Sequence, residues 1–142
     1  MATNALNNQT QSKGWHITLW ILQVLLAVAF GMAGFMKLSL PVAELAKQLP
    51  WTADVSTGLV RFIGVAEVAG ALGLLLPALT RIRPSLTVLA AGGLALVMIL
   101  AAGFHLSRGE APMVAPNLVL ALLAGLIAWG RSKKAPIAAK AA

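Results

Sequence analysis

The chain has no cysteine and no tyrosine, only four acidic residues, and two histidines in 142 residues. Without cysteine there is no disulfide, no thiolate metal ligand and no thiol–disulfide chemistry inside the chain. Charged residues make up only 11%, against roughly 25% in soluble domains. A globular surface could not be solvated on that allowance. What is present instead is apolar: 59% hydrophobic residues and a mean hydropathy of +0.86. The solvent implied is a lipid bilayer, and the length implies one compact domain. The net charge of +7 does not indicate nucleic acid. The basic residues lie between and after apolar runs, with no basic stripe or aromatic platform. In a membrane protein that pattern is a topology signal.

Four apolar runs follow one another. Trp15 to Met36 would span about 33 Å as a helix, enough for the hydrocarbon core. Trp15 and Trp20 stand toward its start as interfacial anchors and Lys37 closes it. The second run extends from about Gly58 to Leu76 and is closed by Pro77, and the third runs from Leu86 to about His105. The fourth, Asn117 to Trp129, is short and must begin near Met113 to cross, with Pro116 tolerated in its first turns. The expected fold is all-α: an integral membrane four-helix bundle with a short interfacial helix between the first and second transmembrane helices. That extra helix opens at Pro41, carries Val42, Leu45, Ala46 and Leu49 on one face, and stops at Pro50, with Trp51 at headgroup level. It reads as an amphipathic connector, with a lid over a functional site as the alternative. Three segments result: a polar N-terminal tail over 1–14, expected to be disordered; a membrane domain over 15–130; and a basic C-terminal tail over 131–142. The tail's weak basic start and the long run after it do not make a signal peptide.

Small residues recur at four-residue spacing, as in Ala27/Gly31, Ala66/Gly70, Ala69/Gly73, Ala91/Ala95 and Ala121/Gly125. Such pairs let helix backbones approach closely. Gly31-Met32-Ala33-Gly34 reads the same way, as packing and not as a phosphate cradle.

Lys13, Arg81, Arg83, Arg131, Lys133, Lys134 and Lys140 fall on one side of the bundle, and Lys37, Lys47, Arg61 and Arg108 on the other. The positive-inside rule then puts both termini in the cytoplasm. Arg81 and Arg83 read as topology and lipid-headgroup anchors. On this frame Lys37, Arg61, Glu67, His105 and Asn117 converge in the outer half, from four different helices. Glu67 stands well inside the second run, where an unpaired acid costs roughly 2.5–3.5 kcal/mol on insertion scales. Arg61, six residues away, does not share its face, so the partner must come from another helix: Lys37 or His105. An opposite charge would favour the ionised acid and burial alone the neutral one. The five residues support either a ligand or proton-transfer site or a structural network fixing helix register. A metal site is poorly served, because His105 and Glu67 give only two ligands. A bis-histidine haem is excluded within one bundle, since His16 sits at the opposite face. Gln23 reads as a helix–helix hydrogen-bonding group.

Three stretches resemble the DoxX and DoxX-like membrane proteins. They are Ala33-Gly34-Phe35-Met36-Lys37; Arg61-Phe62-Ile63-Gly64-Val65-Ala66-Glu67-Val68-Ala69-Gly70-Ala71-Leu72-Gly73-Leu74 with Pro77; and Ala90-Ala91 through Phe104-His105 to Arg108-Gly109-Glu110 and Asn117. The resemblance covers roughly Trp15 to Trp129 and is most specific in the second helix. It implies a multi-pass protein of the bacterial inner membrane. Relatives named DoxX and DoxD are associated with thiosulfate:quinone oxidoreduction, and others with membrane complexes handling oxidative stress. The resemblance therefore implies a quinone as ligand and an oxidoreductase as partner subunit, with an oligomer open. Lys37, Arg61, Glu67, His105 and Asn117 match the family's recurring polar positions. A non-enzymatic membrane scaffold or assembly factor is the alternative. A transporter or channel would need an oligomer, because four helices give no path in a monomer.

Overall fold

The computed structural model describes residues 2–141, with side chains from Ser12 onward. The described chain is helical: α1 (Ala2–Ser39), α2 (Val42–Gln48), a 3₁₀ turn (Pro50–Ala53), α3 (Thr57–Thr80), α4 (Ser85–Ser107) and α5 (Ala111–Lys133). Four segments are long and apolar enough to cross a membrane: Ser12–Ser39, Thr57–Thr80, Ser85–Ser107 and Ala111–Lys133. They form a ring in which α1 packs on α3, α3 on α4, α4 on α5 and α5 on α1. One end of the ring carries α2 and the α4–α5 loop (the α2 end). The other carries the start of α1, the α3–α4 turn and the end of α5 (the terminal end). Outward faces expose Ile17, Leu25, Phe35, Phe62, Leu89 and Leu122. That much apolar surface suits lipid contact and would be an aggregation hazard in water.

The prolines set the connection after α1 as expected. Pro41 precedes α2, Leu49 ends it, and Pro50 opens the 3₁₀ turn. Elsewhere Pro77 breaks less than expected, and Pro116 is tolerated as expected. Pro77 does not close α3, which continues to Thr80, and Pro116 lies inside α5, which begins at Ala111. Pro removes one backbone donor, which frees the carbonyl four residues back, Gly73 for Pro77 and Pro112 for Pro116, and a long packed helix tolerates that single loss. Near Pro77 the Leu74 carbonyl accepts from Gln23 Nε2 at 2.6 Å. Near Pro116 the Met113 carbonyl accepts from Asn117 Nδ2 at 2.8 Å. The polar stretch before Trp15, expected to be disordered, continues α1 back to Ala2. Extending an existing helix costs far less than nucleating one.

Glycines bring the backbones together. A Cβ on Gly34 would stand 2.7 Å from the Gly64 carbonyl oxygen, and one on Gly64 would stand 3.0 Å from that of Gly34. At this crossing α1 and α3 touch main chain to main chain. Gly70 and Gly73 admit Leu94 and Ala90 of α4, and Gly130 admits Leu19. Gly125, of the expected pair Ala121/Gly125, has open space instead.

Candidate functional site

The Gly34–Gly64 crossing builds the site at the α2 end. Lys37 lies three residues after Gly34 on α1, and Glu67 three after Gly64 on α3. Residues three apart share a helix face, so the two glycines bring these side chains opposite each other. Lys37 Nζ donates to Glu67 Oε2 at 2.8 Å and Oε1 at 3.1 Å. Lys37 is 6% exposed and Glu67 4%. Of the two partners open to Glu67, the structure selects Lys37. An ammonium has three N–H donors, so the carboxylate takes two and leaves one.

The pair lies in the wall of a cavity of about 370 Å³. Its other walls are apolar residues of α3 and α4, including Phe62, Met98 and Phe104; Trp51 of the 3₁₀ turn and Met113 and Asn117 of α5 also contribute. Phe62 and Leu100, both in this wall, are exposed on the lipid-facing surface. The cavity is therefore open to the bilayer side of the bundle.

His105 lines the same cavity and is buried. Its partner is not Glu67: Nδ1 lies 2.6 Å from Glu110 Oε2. An ionised carboxylate only accepts, so Nδ1–H donates and Nε2 stays free for a ligand. Glu110 Oε1 accepts from Arg108 Nε at 2.8 Å, and Arg108 Nη2 donates to Asp54 Oδ2 at 2.7 Å. Trp51 packs edge-on against Phe104 and His105, with ring centroids 6.0 and 6.4 Å away. The α4–α5 loop and the 3₁₀ turn are thus tied together over the cavity mouth. The hydrogen bond from His105, then that from Arg108, holds Glu110 below the usual carboxylate range. A depressed folded value means this stabilisation is complete above the ordinary value of 4.5 and fades as pH falls through the folded value. We expect Trp51 fluorescence to report loosening of the mouth as pH falls below the ordinary carboxylate value of 4.5, and a Glu110→Gln variant to lack that transition.

Arg61 does not line the cavity. Its guanidinium donates to the carbonyls of Lys37 and, at 2.8 Å, Leu40. It caps the end of α1 and fixes the main chain of Lys37. Asn117 is the seventh residue of α5, not its first. Among the described residues no three His, Asp or Glu side chains converge as a metal site.

A second polar cluster, at the terminal end, was read only in part from the sequence. Gln23 does bond between helices, but to Arg131, whose Nε donates to Gln23 Oε1 at 2.6 Å. Arg131 Nη1 lies 3.1 Å from His16 Nδ1 and from the Ala135 carbonyl, and the guanidinium stands over the Trp20 ring. Arg131 is 2% exposed. In sequence it resembles the tail cations Lys133 and Lys134. The available signal was spacing: Arg131 extends the buried stripe Ala124, Ile127 at helical intervals.

Fold and site together define a small multi-pass membrane protein with a buried ion pair in a lipid-accessible cavity. The profile of the DoxX-like family matches residues 21–127, and the chain belongs to that family. No curated protein and no solved structure matches it.

Proposed function

We propose that the α2-end cavity binds a quinone-class ligand entering from the bilayer, and that the protein serves as the quinone-interacting subunit of a redox complex in the bacterial inner membrane. The observation that carries this is the Lys37–Glu67 pair set in an otherwise apolar, lipid-accessible wall. A quinone headgroup has carbonyl acceptors on an apolar ring, which suits one free ammonium donor among aromatic and aliphatic side chains. Lys37 donates to one carbonyl oxygen and Asn117 to the opposite edge, while His105 Nε2, an acceptor when Nδ1 carries the proton, takes the hydroxyl of the quinol form. Arg61 acts through the main chain of Lys37. Reduction of a quinone to the quinol takes up two electrons and two protons. Glu67 and His105 relay the protons. The electrons come from a partner oxidoreductase, because the chain holds no evident electron carrier. The lysine and arginine asymmetry supports an orientation with both termini in the cytoplasm and the cavity in the outer half.

A second reading, a non-enzymatic scaffold or assembly factor, is favoured by one feature: the Lys37–Glu67 pair is already hydrogen-bonded within the chain. Native mass spectrometry of the purified protein with co-purified quinones retained separates the two, using wild type and Glu67→Gln. The ligand reading expects a quinone in the wild type and its loss from the folded variant. Folded wild-type protein with no quinone, including after addition of a short-chain ubiquinone, sinks it and leaves the scaffold.

A further inference from the structure

Among the described residues the buried guanidinium of Arg131 has no carboxylate near it. All four acidic residues, Glu44, Asp54, Glu67 and Glu110, belong to the α2 half of the molecule. Arg131 is served by neutral groups alone: an amide oxygen, an imidazole nitrogen and a main-chain carbonyl. The imidazole is a shared partner, because Trp20 Nε1 also donates to His16 Nε2 at 3.2 Å. A neutral imidazole has one acceptor nitrogen, so it cannot fully satisfy both donors. A buried cation without a counter-charge is expensive.

Two side-chain atoms among the described residues are buried with no hydrogen-bond partner, and they are Arg131 Nη2 and Thr87 Oγ1. Thr87 is 0% exposed. Both residues line one cavity of about 610 Å³ at the terminal end. Its lining also includes Arg83, Ser85 and Ser132, closed on one side by Pro136 and Ile137 of the C-terminal segment. That segment is folded back: Arg81 Nε donates to the Ala138 carbonyl at 2.9 Å, and Lys140 N to the Arg81 carbonyl at 3.0 Å. The α3–α4 turn is left-handed at Arg81 and Arg83, with φ of 59° and 46°. The start of α4, at Ser85, has no side-chain cap, and a helix N-terminus favours an anion. The polar side chains of the lining are two guanidiniums, Arg83 and Arg131, and three hydroxyls, Ser85, Thr87 and Ser132, which can donate or accept.

We propose that this cavity is a phosphate-binding site, taking the phosphate of an anionic lipid headgroup or a free phosphate as the missing counter-ion of Arg131. Arg131 Nη2 and Thr87 Oγ1 donate to its oxygens from the buried side, and Arg83 closes the open side. The site is separate from the α2-end cavity and does not depend on that cavity's ligand.

The test uses the full chain and two probes. Inorganic phosphate is titrated against the detergent-solubilised protein at constant ionic strength, with thermal stability as readout. Separately, native mass spectrometry counts lipids retained from phosphatidylcholine nanodiscs with and without phosphatidylglycerol. We expect one saturable anion per chain. Thr87→Val and Arg83→Gln should each weaken it by about tenfold, the loss of one hydrogen bond to a charged group. Lys133→Gln, which removes an equal charge outside the cavity, should leave it unchanged. Arg131→Gln should abolish binding; if that variant fails to fold, the other two decide. Binding of both probes identifies the phosphate group as the determinant, and retention of phosphatidylglycerol alone identifies the lipid. The proposal is overturned if neither probe binds saturably, or if Lys133→Gln weakens binding as much as Arg83→Gln.

Discussion

Replacing Glu67 with Leu will destabilise the bundle by roughly 3 kcal/mol, and adding Lys37→Met to it will restore most of that loss. Removing one member of a buried ion pair strands the other, at about 3–5 kcal/mol, whereas an apolar pair of similar volume often does as well as the ions. The low end applies because each survivor has an escape. Glu67 left alone takes up a proton. Lys37 left alone, close to the end of α1, extends its ammonium toward the interface. Equilibrium unfolding in mixed micelles, read on both single variants and the double, gives the coupling energy directly. The double variant also separates stability from chemistry: under the quinone reading it is folded and empty. Single and double variants of equal stability would show that the ions do not interact in the folded bundle.

The second large effect belongs to Gly34. An added methyl there would meet the Gly64 carbonyl at 2.7 Å and the Val68 side chain at 2.8 Å. Main chain cannot swing aside as a long side chain does, so α1 and α3 must separate. Overpacking of this kind costs about 1–3 kcal/mol. We expect Gly34→Ala near the upper figure, because separating the helices also stretches the Lys37–Glu67 contact. Gly93→Ala is the control: its added methyl meets nothing within 4 Å, and its stability in the same micelles should stay within about 0.5 kcal/mol of wild type. Equal losses in both variants would rule out the close crossing as the cause.

The large features of this fold are written in composition and period. Four apolar runs gave four spans, and Pro41 and Pro50 framed α2, because proline acts locally and α2 is too short to override it. Pro77 misled for the converse reason, whereas Pro116 is tolerated inside α5 as the length of the fourth run required. Each costs one hydrogen bond in a long helix held by its neighbours, and Gln23 and Asn117 serve nearby carbonyls. The meeting of Lys37 and Glu67 was legible because counting spans placed both in one half and a buried acid needs a cation. His105 was harder to read. Its topology put it beside Glu67, but Glu110, five residues on, reaches it first across a tight loop. Arg131 was hidden by its neighbours in the chain. A cation after an apolar run usually faces water, and only the helical phase of Ala124, Ile127 and Arg131 distinguishes it.

The two polar clusters also differ in when they can close as the chain is made. Lys37 and Glu67 are 30 residues apart and lie in the first two spans to be synthesised. Both members of the ion pair therefore lie within that first hairpin, and neither later span supplies one. Gln23 and Arg131 are 108 residues apart. At about 5–20 residues per second, Gln23 waits roughly 5–20 s longer than its own emergence for Arg131 to be made. The ion pair needs only the first hairpin, whereas the contact that joins the first helix to the last must wait for the end of the last span.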